Sequence, residues 1–119
     1  MGALAESDIM AGRIARGDVR LCRFEPPDKQ RPVVVLTRDS AIDYLVTVTA
    51  APVTSKLRGI PSQVLLDESD GMKMLCAVNL HNTFTVTKDQ LGKRVAQLHS
   101  SRMNEICAAL RFSLGCDND

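Results

Sequence analysis

Arg31-Pro32-Val33-Val34-Val35-Leu36-Thr37 is the stretch from which the fold of this chain is read. Its core is β-branched and almost continuously apolar, the pattern of a central strand buried on both faces. A residue before proline is pushed toward extended backbone, so Arg31 stands at the strand's entrance. A second strand follows, Leu45-Val46-Thr47-Val48-Thr49-Ala50-Ala51, and runs into Pro52-Val53-Thr54-Ser55. Each strand therefore carries a strong polar group at one end, a guanidinium on the first and adjacent hydroxyls on the second. Strands are rigid platforms, and groups at their ends can be held in a fixed constellation.

Working outward, residues 1–15 show no sustained periodicity and read as a flexible leader. Residues 16–115 form a single domain, and 116–119 a tail. Arg16-Gly17-Asp18 turns into a first strand, Val19 to Phe24, whose apolar residues alternate only roughly. The same tripeptide resembles an integrin-binding motif, a coincidence in a chain with no secretion signal. Glu25 to Gln30 is a polar, proline-broken loop, Arg38 to Asp43 a connection, and Lys56 to Pro61 a basic loop. Gln63 to Leu66 is a short strand ended by an Asp70-Gly71 turn. Leu75 to Leu80 and Phe84 to Val86 are further strands, Lys88 to Leu91 one helical turn, and Val95 to Leu98 a last strand. Met103, Ile106, Cys107, Leu110 and Leu114 then recur at the intervals of one helix face. Ser100 or Ser101 is the expected N-cap and Gly115 the C-cap. The expectation is α+β: five to seven strands in a curled antiparallel sheet or small barrel, then one amphipathic helix.

The composition narrows the function classes. One core suits 119 residues, and with three Phe, one Tyr and no Trp that core is aliphatic. So few aromatics leave no platform for stacking a long run of bases. A net charge of +1 means that any nucleic-acid partner must be held by local charge placement. Cys22, Cys76, Cys107 and Cys116 lack a C-x-x-C, and the first three fall inside apolar patterns. They read as reduced thiols of a cytoplasmic protein. No apolar run reaches transmembrane length, so no membrane partner is expected. Zinc spacings, Gly-rich phosphate loops and nucleophile elbows are absent, and neither metal nor cofactor is expected.

Arginine with Thr or Ser and no metal ligands points to a site that grips a phosphate and stabilises charge developing on it. RNA carries its own nucleophile, the 2′-hydroxyl, so such an enzyme need only align it and stabilise the anionic phosphorus. From spacing alone the favoured reading of Arg31 is a surface arginine paired with Asp28 or Glu25, and that of Thr54 and Ser55, more strongly still, is turn hydroxyls. Lys29, Arg31, Arg38, Lys56 and Arg58 flank the same two strands, either as one basic patch or as scattered solubilising charge. His81 and His99 have no metal-pair spacing. Asn79, His81 and Asn82 form a polar segment that could line a base pocket.

Arg16-Gly17-Asp18-Val19, Arg31 to Thr37 and Ala51-Pro52-Val53-Thr54-Ser55, in this order, resemble the MazF/PemK family of toxin endoribonucleases. The Asp70-Gly71 turn, Ala77-Val78-Asn79 and the closing helix extend the resemblance from about Arg16 to Leu114. It implies an SH3-like barrel with a terminal helix, as in MazF and CcdB, working as a homodimer in the cytoplasm. It implies metal-independent cleavage of single-stranded RNA (mRNA, rRNA or tRNA), leaving a 2′,3′-cyclic or 3′-phosphate and a 5′-hydroxyl. It also implies a cognate MazE-like antitoxin with an acidic tail, and DNA binding in complex with it. By position Arg31 falls on the family's catalytic arginine, Thr54 on its catalytic threonine, and Ser55 on a substrate-contacting hydroxyl. Lys29, Lys56 and Arg58 would hold the RNA backbone, with Asn79 and His81 as further contacts.

One departure stands out. Many members carry a longer loop after the first strand, whereas here it is the short Glu25 to Gln30. Glu25 and Asp28 are left as candidates for that loop's acid–base role, and the target sequence is not readable. Two rival functions fit the same fold. One is a non-enzymatic CcdB-like toxin that binds DNA gyrase, the other a catalytically weakened binding module.

Overall fold

The structure is a computed structural model that describes residues 13–25 and 29–116. Seven strands and two helices follow one another as β1 (Asp18–Cys22), β2 (Arg31–Val35), α1 (Asp39–Ile42), β3 (Thr47–Thr54), β4 (Gln63–Leu66), β5 (Cys76–Asn79), β6 (Phe84–Thr87), β7 (Leu91–Gln97) and α2 (Ser100–Leu114). Short 3-10 turns occupy Glu68–Asp70 and Lys88–Gln90. Every strand pairing is antiparallel. The order is β4-β5-β3-β2-β1-β7, with β6 also on β3.

β3 organises this sheet. One of its edges takes β2 throughout the ladder. The other takes β6 along Thr47–Ala50 and then β5 at Val53 and Thr54. Pro52, which has no N–H to donate, sits between the two partners. At that point the partner of β3 on this edge changes from β6 to β5, in a fold of the small-barrel class. The ladder itself stays open, because β4 and β7 end it without pairing to each other. Helix α2 fills the opening instead: Ile106 and Ala109 are buried in one cluster with Val64, Leu66, Val78 and Val34.

β2 is buried on both faces as its sequence requires. Val34 enters the cluster under α2, while Val33 and Val35 enter a second cluster with Cys22, Val48, Ala50 and Val86. The rough alternation of β1 has a polar cause. Asp18 and Arg20 take inward positions and are 0% and 4% exposed. Asp18 accepts from Arg20 Nε (2.9 Å), from the Ala15 N–H (3.0 Å) and from Gln97 Nε2. Arg20 also donates to the Gly92 and Arg13 carbonyls. The Arg-Gly-Asp tripeptide is thus an internal tie between the chain's entry, β1 and β7.

Several boundaries differ from expectation. β1 ends at Cys22, β3 starts at Thr47, and β7 begins at Leu91 rather than Val95. The last is an edge strand whose Lys93 and Arg94 face solvent, and such charges are a usual device on edges. The connection after β2 contains the short α1. The α2 N-cap is His99, without a side-chain bond, so Ser100 and Ser101 lie inside the first turn. Gly115 closes the helix at φ 69°, where the left-handed backbone favours glycine. Leu114 is 67% exposed. The buried stripe continues through Ser113 instead, whose hydroxyl donates to the Leu80 carbonyl. Within the span read as leader, Ile14 packs against the second cluster and Arg13 pairs with Asp43; residues 1–12 and the tail's 117–119 lie outside the described residues.

Asp18→Ala would leave Arg20 buried without its counter-charge. Breaking a buried pair in this way costs roughly 3–5 kcal/mol, and urea unfolding should show the midpoint falling accordingly. An unchanged midpoint would mean that the pair contributes nothing to stability.

Candidate active site

The register of β2 on β3 assembles the site. Val33 lies opposite Pro52. Carried two residues further, the same register sets Arg31 opposite Thr54, with both side chains on one face. The next ladder places Thr54 opposite Ala77 and, by the same step, Pro52 opposite Asn79. Gln63 of β4 pairs with Asn79. Arg31, Thr54, Asn79 and Gln63 thus come from four strands onto one continuous face.

A cavity of about 990 Å³ opens there, lined by Arg31, Thr54, Ser55, Lys56 and Asn79, among others. Its further walls are Met72, Lys73 and Met74, Lys93 to Val95 of β7, and Asn82 with Phe84. Arg31, Lys56, Lys73, Lys93 and Arg94 line it, and no carboxylate among the described residues does. Arg94 is 3.8 Å from the buried Asp18. Arg31 is exposed, and its guanidinium has no partner among the described residues. Glu25 therefore does not neutralise it; Asp28 lies outside the described residues.

The Thr54 hydroxyl oxygen accepts the Lys56 N–H at 3.1 Å. This turn contact uses an acceptor site and leaves the hydroxyl proton free to donate. Gln63 fixes the following loop from both sides. Its Oε1 accepts the Arg58 N–H at 2.8 Å and its Nε2 donates to the Lys56 carbonyl at 3.1 Å. Asn79 is 8% exposed, and its Oδ1 is buried with no hydrogen-bond partner among the described residues.

Other sequence candidates lie elsewhere. Lys29, Arg38, Arg58 and Glu25 are exposed and do not line the cavity. His81 accepts or donates at Nδ1 to Ser62 Oγ, 2.7 Å away, and also stands outside the lining, as does His99. Cys76 does line it. Burial pushes its thiol pKa up, and the nearby Asp70 carboxylate adds to the rise. It is accordingly a protonated thiol at neutral pH and a poor nucleophile. No group of three or more His, Cys, Asp or Glu among the described residues could hold a metal ion.

Residues 15–114 match the profile of the PemK-like, MazF-like toxins of type II toxin–antitoxin systems. The chain belongs to this family. A Mycobacterium tuberculosis relative named probable endoribonuclease MazF5 is 40% identical over 103 residues, covering 86% of this chain and 94% of its own. Endoribonuclease MazF3 of the same species is 34% identical over 90 residues, 76% of this chain and 87% of its own. Among solved structures, M. tuberculosis toxin MazF-mt6 superposes with a TM-score of 0.75 at 29% identity, covering 86% of this chain and 98% of that one. A mycobacterial endoribonuclease in complex with its cognate antitoxin gives 0.77 at 28% identity, covering 86% and 95%.

In this MazF-like chain, reading along the sequence missed two parts of the cavity and one support of the loop beside it. Lys73, Lys93 and Arg94 come from segments that look like ordinary solvated turns and edges. Gln63 sits at the head of a short strand with no motif around it. Phe24 and Phe84, edge-to-face with ring centroids 5.8 Å apart, form an aromatic wall from residues 60 positions apart. Only the folded pairings could reveal these.

The thiols should differ sharply in reactivity. In a pulse of iodoacetamide at mildly alkaline pH, mass mapping should find exposed Cys116 alkylated first. Cys22 and Cys76, buried and with raised pKa values, should react only after unfolding. Fast labelling of Cys76 in the native protein would contradict the buried, protonated assignment.

Proposed function

We propose that this MazF-like endoribonuclease toxin cuts single-stranded RNA without a metal ion, with Arg31 and Thr54 at the scissile phosphate. The observation that carries the reading is Arg31, without a partner among the described residues and opposite Thr54 by register, in a cavity that five cations and no carboxylate among those residues line. The 2′-oxygen forms a new bond to phosphorus while the bond from phosphorus to the 5′-oxygen breaks. The 2′-proton departs, and the leaving 5′-oxygen takes one up. The products are a 2′,3′-cyclic phosphate, open to hydrolysis to a 3′-phosphate, and a 5′-hydroxyl.

Arg31 donates its planar fork to the non-bridging oxygens and stays charged throughout. Thr54, its oxygen already held by the Lys56 N–H, donates its proton to the same phosphate. Donors held on neighbouring strands need little reorganisation as charge develops, which is where electrostatic catalysis has its advantage. Lys56, Lys73 and Lys93 hold flanking phosphates, and Ser55 is a further contact. The same cation-lined cavity suits the acidic tail of a cognate antitoxin. The protein acts as a cytoplasmic homodimer. No helix among the described residues is long and apolar enough to cross a membrane.

Purified protein incubated with a long synthetic RNA in excess EDTA should give discrete cuts with 5′-hydroxyl ends. Arg31→Ala and Thr54→Val should each slow cleavage by about a hundred- to a thousandfold. Intact RNA with the wild-type protein, or variants that cut as fast, would overturn the assignment. Binding to a non-cleavable 2′-deoxy analogue should weaken with salt. Lys56→Ala should flatten the slope of log K against log salt by about 0.7, the value for one phosphate of a single strand.

A further inference from the structure

A hydroxyl serves as a phosphate donor only while its oxygen is held in a fixed direction. A threonine at a strand end can accept an N–H two residues on, but such hydroxyl turns are weak by themselves. In this chain the Lys56 N–H makes that contact to the Thr54 oxygen at 3.1 Å. The turn is not left to itself. Lys56 is held at its other main-chain group as well, since its carbonyl accepts Gln63 Nε2 at 3.1 Å. Gln63 Oε1 takes the Arg58 N–H at 2.8 Å, two residues further along the same loop. A carboxamide carries a donor and an acceptor side by side, and only one of its two orientations serves a carbonyl and an N–H together. An apolar side chain could hold neither.

This clamp is anchored in the sheet. Gln63 heads β4 and pairs with Asn79 of β5, and β5 pairs in turn with Val53 and Thr54 of β3. Two ladders therefore fix Gln63 relative to Thr54, with the Lys56 main chain strung between their side chains. Gln63 itself does not line the cavity, so its influence on a substrate there passes through other groups.

We infer that Gln63 is a positioning residue, which holds the Lys56 main chain so that its N–H occupies the Thr54 oxygen and the Thr54 proton is directed to the scissile phosphate. This rests on the endoribonuclease reading and adds to it the group that orients one of its two donors. Without the clamp the turn samples other arrangements, and a share of the molecules presents the hydroxyl in an unproductive direction. The loss falls on the rate of cleavage, where a preorganised donor acts. Grip on the RNA backbone, which belongs to the lysine side chains, is retained.

Single-turnover cleavage at saturating protein separates rate from binding. Gln63→Met keeps the length of the side chain and removes both polar ends. It should lower the rate roughly three- to tenfold, the worth of one hydrogen bond. Its affinity for the 2′-deoxy analogue should stay at the wild-type value, which also reports a folded cavity. In a Thr54→Val background the same substitution should change nothing further, because residues acting through one network are not additive. In a Lys56→Ala background, which keeps the backbone N–H, the full fall should persist. A Gln63→Met protein that cuts at the wild-type rate, or an equal fall with and without the Thr54 hydroxyl, overturns the inference and leaves the nuclease standing. A fall that disappears with the Lys56 side chain, or weakened binding of the analogue, makes Gln63 a holder of charge or of structure and overturns it too. Independently of any variant, the Lys56 and Arg58 amides of the wild type should be protected from hydrogen exchange. Exchange of either at the rate of an open chain overturns the clamp whether or not the variants fold. Wild-type protein that leaves RNA intact removes the endoribonuclease reading and this inference with it.

Discussion

The pairing of Val33 with Pro52 is the constraint on which the rest of the structure depends. Side chains alternate across a strand, so a slip of one residue would turn every one of them to the opposite face. Val34 would leave the cluster under α2, and Arg31 would no longer share a face with Thr54. Packing and chemistry therefore rest on the same register. β2 is anchored on both faces: all three of its valines are inaccessible, on two different cores. The site inherits its precision from the interior.

Electrostatically the molecule separates its charges by place. A chain with net charge +1 has no general attraction for polyanions. Yet Arg31, Lys56, Lys73, Lys93 and Arg94 converge on one cavity, while acids are used elsewhere. Asp18 is spent inside on Arg20, and Asp70 holds Arg102 of α2 through two hydrogen bonds of 3.0–3.1 Å. These two acids thus do internal structural duty; Arg94 shares Asp18, while Arg31, Lys56, Lys73 and Lys93 pair with no carboxylate among the described residues.

Much of this was legible along the chain, and the reason is local. The valine run of β2, the Asp70-Gly71 turn, the four residues of β4 and the glycine closing α2 each announce themselves through neighbours in sequence. Arg31 and Thr54 were legible for the same reason, as polar groups ending apolar strands. What stayed hidden depends on contacts between distant segments. β7 is half polar because it is an edge, so its start at Leu91 leaves no hydrophobic period to read. Lys93 and Arg94 become cavity walls only through the pairing of β7 with β1. Gln63 becomes a loop clamp only because β4 folds back onto β5. The β1 alternation was obscured by an ion pair whose burial no spacing rule foretells.

That dispersal of parts has a consequence for how such a protein is made. Arg31 emerges from a ribosome first, Thr54 later, and the β7 wall last of the three. The entry turn and β1 meanwhile lack the Gln97 and Gly92 groups that satisfy Asp18 and Arg20. A nascent chain short of β7 holds an unsatisfied ion pair and an unwalled cavity. The finished cavity, with its β7 wall, exists only after that strand has docked on β1.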